Sequence, residues 1–272
     1  MKANGMQVWL IAKQELLGSF ASKGGVFISG VFILTWIWLL FSPIQFAAEA
    51  MSNPDQGSLM VAALGWLGLE SLYNWSLPEL AVYWAVALYS FPLFSLLMSA
   101  DQMISERQRG GLRFLTLRCA RGEIFFGRFL GHMAVQMCFL LATLAITYFL
   151  LVMNNASLWL DGLLILPLLL LNLMLVISPC VALMSLLSVV MNSVRIAILV
   201  AIIIFVLASI LINALAFDFS FISFLNYGVP GVQISQMAKL LPNNALLLSW
   251  IPILQSICFL VLGYGLFKRQ AI

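Results

Sequence analysis

Apolar residues along this chain gather into long uninterrupted runs, not into short alternating stretches. Six of them, roughly 25–42, 80–100, 129–152, 162–190, 196–217 and 247–266, are rich in Leu, Ile, Val, Phe and Met. A helix needs about 20 predominantly apolar residues to cross a bilayer. A barrel strand would instead alternate apolar and polar positions over about ten. The pattern predicts an all-α, polytopic membrane protein with six transmembrane helices. Residues 59–69, LMVAALGWLGL, are too short to span and have Trp66, Tyr73 and Trp75 close by. Aromatic rings favour the membrane interface, so this segment is expected to lie along it. Ahead of the first run stands MQVWLIAKQELLGSF, a stretch of helix formers closed by Ser22-Lys23-Gly24-Gly25. It reads as an interfacial helix containing Trp9, Lys13 and Glu15, with Gln7, Gln14 and Gly18 on one stripe and Lys13 snorkelling among apolar neighbours. The alternative is that it simply begins the first span. Between the fifth and sixth runs, VPGVQISQMAKLLPNN predicts a short re-entrant helix bounded by Pro230-Gly231 and Pro242-Asn243, dipping into the outer interface.

Composition agrees. Hydrophobic residues make up 63% and charged ones 8%, against roughly 25% charged in a soluble domain. So few charges cannot coat a globule, and the lipid-facing backbone must pair internally, as a helix does. Residues 1–272 are read as a single transmembrane domain. Charge sets its expected orientation, because Lys and Arg concentrate in short cytoplasmic loops. With six spans, one side holds Lys2, Lys13, Lys23, Arg107, Arg109, Arg113, Arg118, Arg121, Arg128, Arg195, Lys268 and Arg269, and the other only Lys239. Both termini are therefore expected in the cytoplasm, in a bacterial inner membrane. The first run follows some two dozen residues that include Lys13, Glu15 and Lys23, and is read as a retained span rather than a signal peptide.

Several chemistries are disfavoured. Cys119, Cys138, Cys180 and Cys258 show no metal or redox spacing. One histidine, His132, cannot assemble a three-ligand metal site, and no G-x-S-x-G nucleophile motif accompanies it. His132 reads as a polar anchor at the interface. No G-x-x-x-x-G-K-[ST] phosphate loop is present, so the chain is not itself an ATPase. The spans hold no clear midplane charge, which argues against an ion-coupled secondary transporter. Thirteen methionines form no ligand ladder for copper. Gln136, Asn172 and Asn213 lie inside spans and serve interhelical hydrogen bonds or a substrate path. Pro92, Pro167, Pro179 and Pro252 can kink helices. Gly127 and Gly131 form a small-xxx-small pair.

The loop between the second and third spans, DQMISERQRGGLRFLTLRCARGEIFFGR (101–128), carries six arginines against three acids. Gly110-Gly111 should end a short helix, and a second helical segment should begin near Arg121 or Gly122. Leu112, Phe114, Leu115 and Leu117 are apolar in an aqueous loop and call for a covering surface.

The string Asp101…Glu106-Arg-Gln-Arg-Gly-Gly-Leu112…Leu115…Arg121…Gly127-Arg-Phe-Leu-Gly131-His132 resembles the second cytoplasmic region of ABC-2 type exporter permeases. Within that family it is similar to the group encoded with nitrous oxide reductase maturation proteins, departing from it in Arg113 and Arg128. The resemblance implies a non-catalytic membrane subunit working as a dimer of permeases, with ATP and magnesium held by a separate ATPase subunit. It further implies that the loop acts as a coupling helix. Glu106 and Arg109 would then make charged contacts, Gly110 and Gly111 shape the turn, Leu112 and Leu115 fill the groove of the ATPase, and Arg118 and Arg121 secure its rim. The surface helix would flank that contact, and segments 55–75 and 225–245 would form an outer gate. The work done would be export or, alternatively, motion delivered to a periplasmic protein. A nucleic acid partner is not expected.

Overall fold

The computed structural model describes residues 5–21, 23–45, 72, 75–208, 210 and 227–270, and those in regular structure are all helical. Helix α1 spans Gly5–Ala21 and α2 spans Lys23–Leu39, the latter continuing into a π-helical turn, Leu40–Ile44, at Pro43. Next come α3 (Pro78–Met98), α4 (Ile104–Gln108), α5 (Gly111–Arg118), α6 (Arg121–Asn154), α7 (Trp159–Val190) and α8 (Val194–Ile203). Two single turns, α9 (Ile234–Met237) and α10 (Pro242–Ala245), precede α11 (Trp250–Arg269).

Among the described residues, five helices are long and apolar enough to cross a membrane: Gly24–Ser42, Pro78–Met98, Arg121–Asn154, Ala156–Val190 and Trp250–Arg269. The span expected at 196–217 is described as a shorter apolar helix, Val194–Val206, and most of its remainder lies outside the described residues. So do Asn213, the 59–69 segment and most of 55–75. Helix α6 begins eight residues before the apolar run that announced it. Its first turns mix charged residues with Ile124 and Phe125, which pack on protein, and the Glu123 carboxylate caps them by accepting the Ala120 N–H at 2.6 Å.

Helix α7 is the central element, packing against α11, α6 and α3, while α1 lies along α6. Without water to exclude, such helices are held by close packing and interhelical hydrogen bonds. The main core is aromatic: the Phe32 ring sits 4.2 Å from that of Phe94 and 4.5 Å from that of Phe139, beside buried Trp36, Tyr83, Trp84 and Phe91. Tyr83 and Thr143 exchange a 2.9 Å hydrogen bond between α3 and α6.

The bundle has two chemically different ends. One gathers α1, α4, α5, the α7–α8 turn and the end of α11, and carries most of the described basic residues. At the other, Asn154 donates to Glu79 at 3.1 Å, and the segment before α11 folds inward. There the Asn172 amide donates to the Pro242 carbonyl at 3.0 Å. Gln255 donates to the carbonyls of Tyr227 at 2.7 Å and Val229 at 2.9 Å. Ile234, Met237 and Ala238 join the main core. Between Pro230-Gly231 and Pro242-Asn243, where a short helix is expected, stands the single turn Ile234–Met237, with left-handed Gly231 (φ 88°) before it and Pro242 opening the next turn.

Candidate functional site

The basic end is built on the 101–128 loop. Asp101 starts α4 by accepting the Ser105 N–H at 2.9 Å. Gly110, at φ 74°, separates α4 from α5 in a conformation that an L side chain rarely adopts. The residue pattern gave no bounds for the eight-residue helix α5, although the family resemblance implied a helix in this loop.

Helix α5 divides its side chains. Leu112 (1% exposed) and the half-buried Leu115 turn inward, onto a cluster with Met103, Ile124, Phe125, Val189 and Phe267. Phe114 (72%) and Leu117 (83%) point out, flanked by exposed Arg113 and Arg118. The leucines expected to face a partner therefore serve the chain's own core, and a different apolar pair is presented.

Three further arginines turn inward to bind the ends of other helices. The Arg107 guanidinium donates to the carbonyls of Val189 and Met191 at the C-terminus of α7 and to Asn192 Oδ1 at 3.3 Å, while Gln108 donates to the Asn192 carbonyl at 2.6 Å. Partial burial pulls the Arg107 pKa below its ordinary value. Arg121 Nη1 donates to the carbonyls of Phe267 (3.1 Å), Lys268 (2.9 Å) and Gln270 (2.7 Å), which close α11. The Gln270 side chain in turn donates to the Val189 carbonyl at 2.7 Å. Helix C-termini expose unpaired carbonyls with partial negative charge, so guanidinium groups are matched to them. Arg121, expected at a partner's rim, is thus an internal clasp.

The third inward residue, Arg128, is 4% exposed. It donates to the Gln102 carbonyl and to Glu106, and Glu15 of α1 stands 3.9 Å away. Glu15 also lies 3.3 Å from His132 Nε2. Burial pushes the Glu15 carboxyl up, but the His132 contact and the charges of His132 and Arg128 outweigh it and leave the group below its ordinary range. Glu106, expected to reach a partner, is engaged by Arg128 here while its side chain stays partly exposed, and His132 stands beside Glu15.

The small pair in α6 makes this network possible. A Cβ on Gly127 would stand 2.9 Å from Ile11 side-chain atoms, and one on Gly131 would stand 2.6 Å from Glu15 Cβ. Helix α1 therefore lies against the α6 backbone, while Trp9, Leu10 and Leu17 stay exposed and Lys13 points to the outside. Arg109 is exposed and lines an open cavity of about 870 Å³ between α1, α2, α3, α4 and α8.

Of the polar residues inside spans, Asn172 makes interhelical bonds as described. Gln136 is fully buried, and neither of its amide atoms has a partner among the described residues.

A sequence model described as ABC-2 family transporter protein matches residues 9–271. The chain belongs to the ABC-2 transporter family. Two curated relatives are named "Probable ABC transporter permease protein NosY". That of Stutzerimonas stutzeri is 32% identical over 146 residues, covering 52% of this chain and 45% of the relative. That of Pseudomonas aeruginosa is 29% identical over 126 residues, covering 46% and 38%. The chain thus matches less than half the length of either relative.

Proposed function

We propose that this chain is the membrane subunit of an ABC transporter, through which a separate ATP-hydrolysing subunit drives export across the cytoplasmic membrane. The basic end would face the cytoplasm and the chain would work as a pair of permeases. The observation that carries this reading is the bracing of one loop onto many helices: α4 through Arg107 onto α7, Arg121 onto α11, and Arg128 onto α1 and α4. A push delivered to α5 would move these elements together. The partner would cover Phe114 and Leu117, with carboxylates opposite Arg113 and Arg118, since apolar side chains this exposed call for a protein surface.

A second reading, in which the motion is delivered to a periplasmic protein, has its own support. The helices clasped at the basic end, α7 and α11, also hold the opposite-end segment through Asn172 and Gln255. Displacement of either helix would carry that segment with it.

Affinity purification of the full chain from its membranes tests the proposal. A protein bearing a G-x-x-x-x-G-K-[ST] loop should co-purify and be lost in the double variant Phe114→Asp/Leu117→Asp while the permease still inserts. Undiminished recovery from the variant sinks the assigned surface, and recovery of no such ATPase from the wild type sinks the function.

A further inference from the structure

The 870 Å³ cavity at the basic end is lined by two chemistries in layers. Toward the membrane its wall is apolar, made of Ile28 of α2, Leu97 and Met98 at the end of α3, and Val194 and Ile198 at the start of α8. Toward the loop it is ringed by Glu15, Asp101, Glu106, Arg109, Arg128 and His132. Its volume falls within the ~300–1,000 Å³ typical of small-molecule sites. It sits where the described spans end, with Met98 closing α3 and Val194 opening α8.

The charges in the ring are unevenly paired. Glu15 and Glu106 both converge on Arg128, with His132 beside Glu15. Asp101 is spent only on capping α4. On the cationic side, Arg109 has no carboxylate within ion-pair distance among the described residues, and the buried Arg128 Nε has no partner. A ligand that completes this ring carries both a cation with N–H donors and an anion, and the apolar wall requires a hydrocarbon tail.

We propose that the cavity binds one zwitterionic phospholipid of the phosphatidylethanolamine type. Its ammonium donates to Asp101 and Glu106, its phosphate accepts from Arg109, and an acyl chain runs along Leu97, Val194 and Ile198. Bound there, the lipid tacks α1 and α2 to the α3–α4 corner, which meet across the cavity. This site is independent of whether an ATPase docks on α5.

The glycines supply a test. Gly18 lines the cavity, and a Cβ there meets nothing within 4 Å. Gly18→Phe should therefore fill the space without disturbing the fold, whereas Gly18→Ala should not. The full-length protein, purified in detergent, is exposed to phosphatidylethanolamine, phosphatidylcholine or phosphatidylglycerol vesicles and examined by native mass spectrometry. Wild type and Gly18→Ala should retain phosphatidylethanolamine several-fold better than the other two lipids, and Gly18→Phe should lose at least tenfold of that retention. Arg109→Gln should lower retention of every phospholipid. Equal or better retention of phosphatidylglycerol would overturn the zwitterion assignment, and undiminished retention by Gly18→Phe would overturn the location. Displacement of the lipid by inorganic phosphate would identify a soluble-anion site and overturn the proposal as well.

Discussion

Replacing Gly131 with alanine should destabilise this protein, although the same change in a helix interior ordinarily gains up to ~1 kcal/mol. The reversal follows from distance. The new Cβ would lie 2.6 Å from Glu15 Cβ and 3.0 Å from the Ala12 carbonyl oxygen, atoms fixed to the α1 backbone. Reaching the 3.4 Å of ordinary contact requires α1 to withdraw by about 0.8 Å. Overpacking of this kind costs ~1–3 kcal/mol. It also draws Glu15 away from Arg128, which it already faces at 3.9 Å. Set against the propensity gain, the net loss is up to ~2 kcal/mol, or up to ~30-fold in an opening equilibrium. Hydrogen exchange of the α1 amides reads this directly. Gly18→Ala is the matched control, because a Cβ at Gly18 meets nothing within 4 Å, and it should slow exchange in the same helix. If Gly131→Ala also slows exchange in α1, the helix does not rest on the α6 backbone and the reasoning fails.

Three more outcomes follow from other contacts. Arg121→Ala should cost ~1.5–3 kcal/mol locally, the worth of a hydrogen bond to a charged group, speeding exchange in the last turn of α11 by ~10–100-fold; unchanged exchange there would refute the clasp. Asn172→Leu should cost on the order of 1 kcal/mol and expose the turn at Pro242–Ala245 to faster exchange, with no change expected if the bond to the Pro242 carbonyl is idle. Acid should loosen α1. The Glu15 pKa is lowered by His132 and Arg128 against burial, so its contribution is fully present above the ordinary 4.5 and is lost as pH falls through the lowered folded value. Glu15→Gln should remove that acid step in α1 exchange, and an identical step in the variant would assign it to another group.

Fold class was legible because lipid imposes one requirement, long apolar helices, that composition and run length report directly. So was the start of α6, expected near Arg121 or Gly122 and found at Arg121, although the long apolar run begins only at 129. In the 101–128 loop, Gly110 announced its turn, but α5 is too short for its inward face to be told from its outward one. Arginines that turn inward look in sequence like arginines that face a partner. The carbonyls Arg121 binds belong to residues 146–149 positions away, and no local pattern reports them. Gly127 and Gly131 were a readable sign of close helix approach, although the partner is α1 rather than another span.

The arginine clasps have a consequence for how this loop can vary. Arg107 and Arg121 complete the C-terminal turns of two helices from elsewhere in the chain, so the loop is structurally part of those helices' ends. A 101–128 loop grafted from another permease would leave the carbonyls at 189–191 and 267–270 unclasped, whatever its outward face. Chimeras should therefore fold only when those two tails travel with the graft. Across related permeases, substitutions at positions 107 and 121 should be tied to changes at 189–192 and 267–270, while 114 and 117, exposed and unclasped, should vary without them.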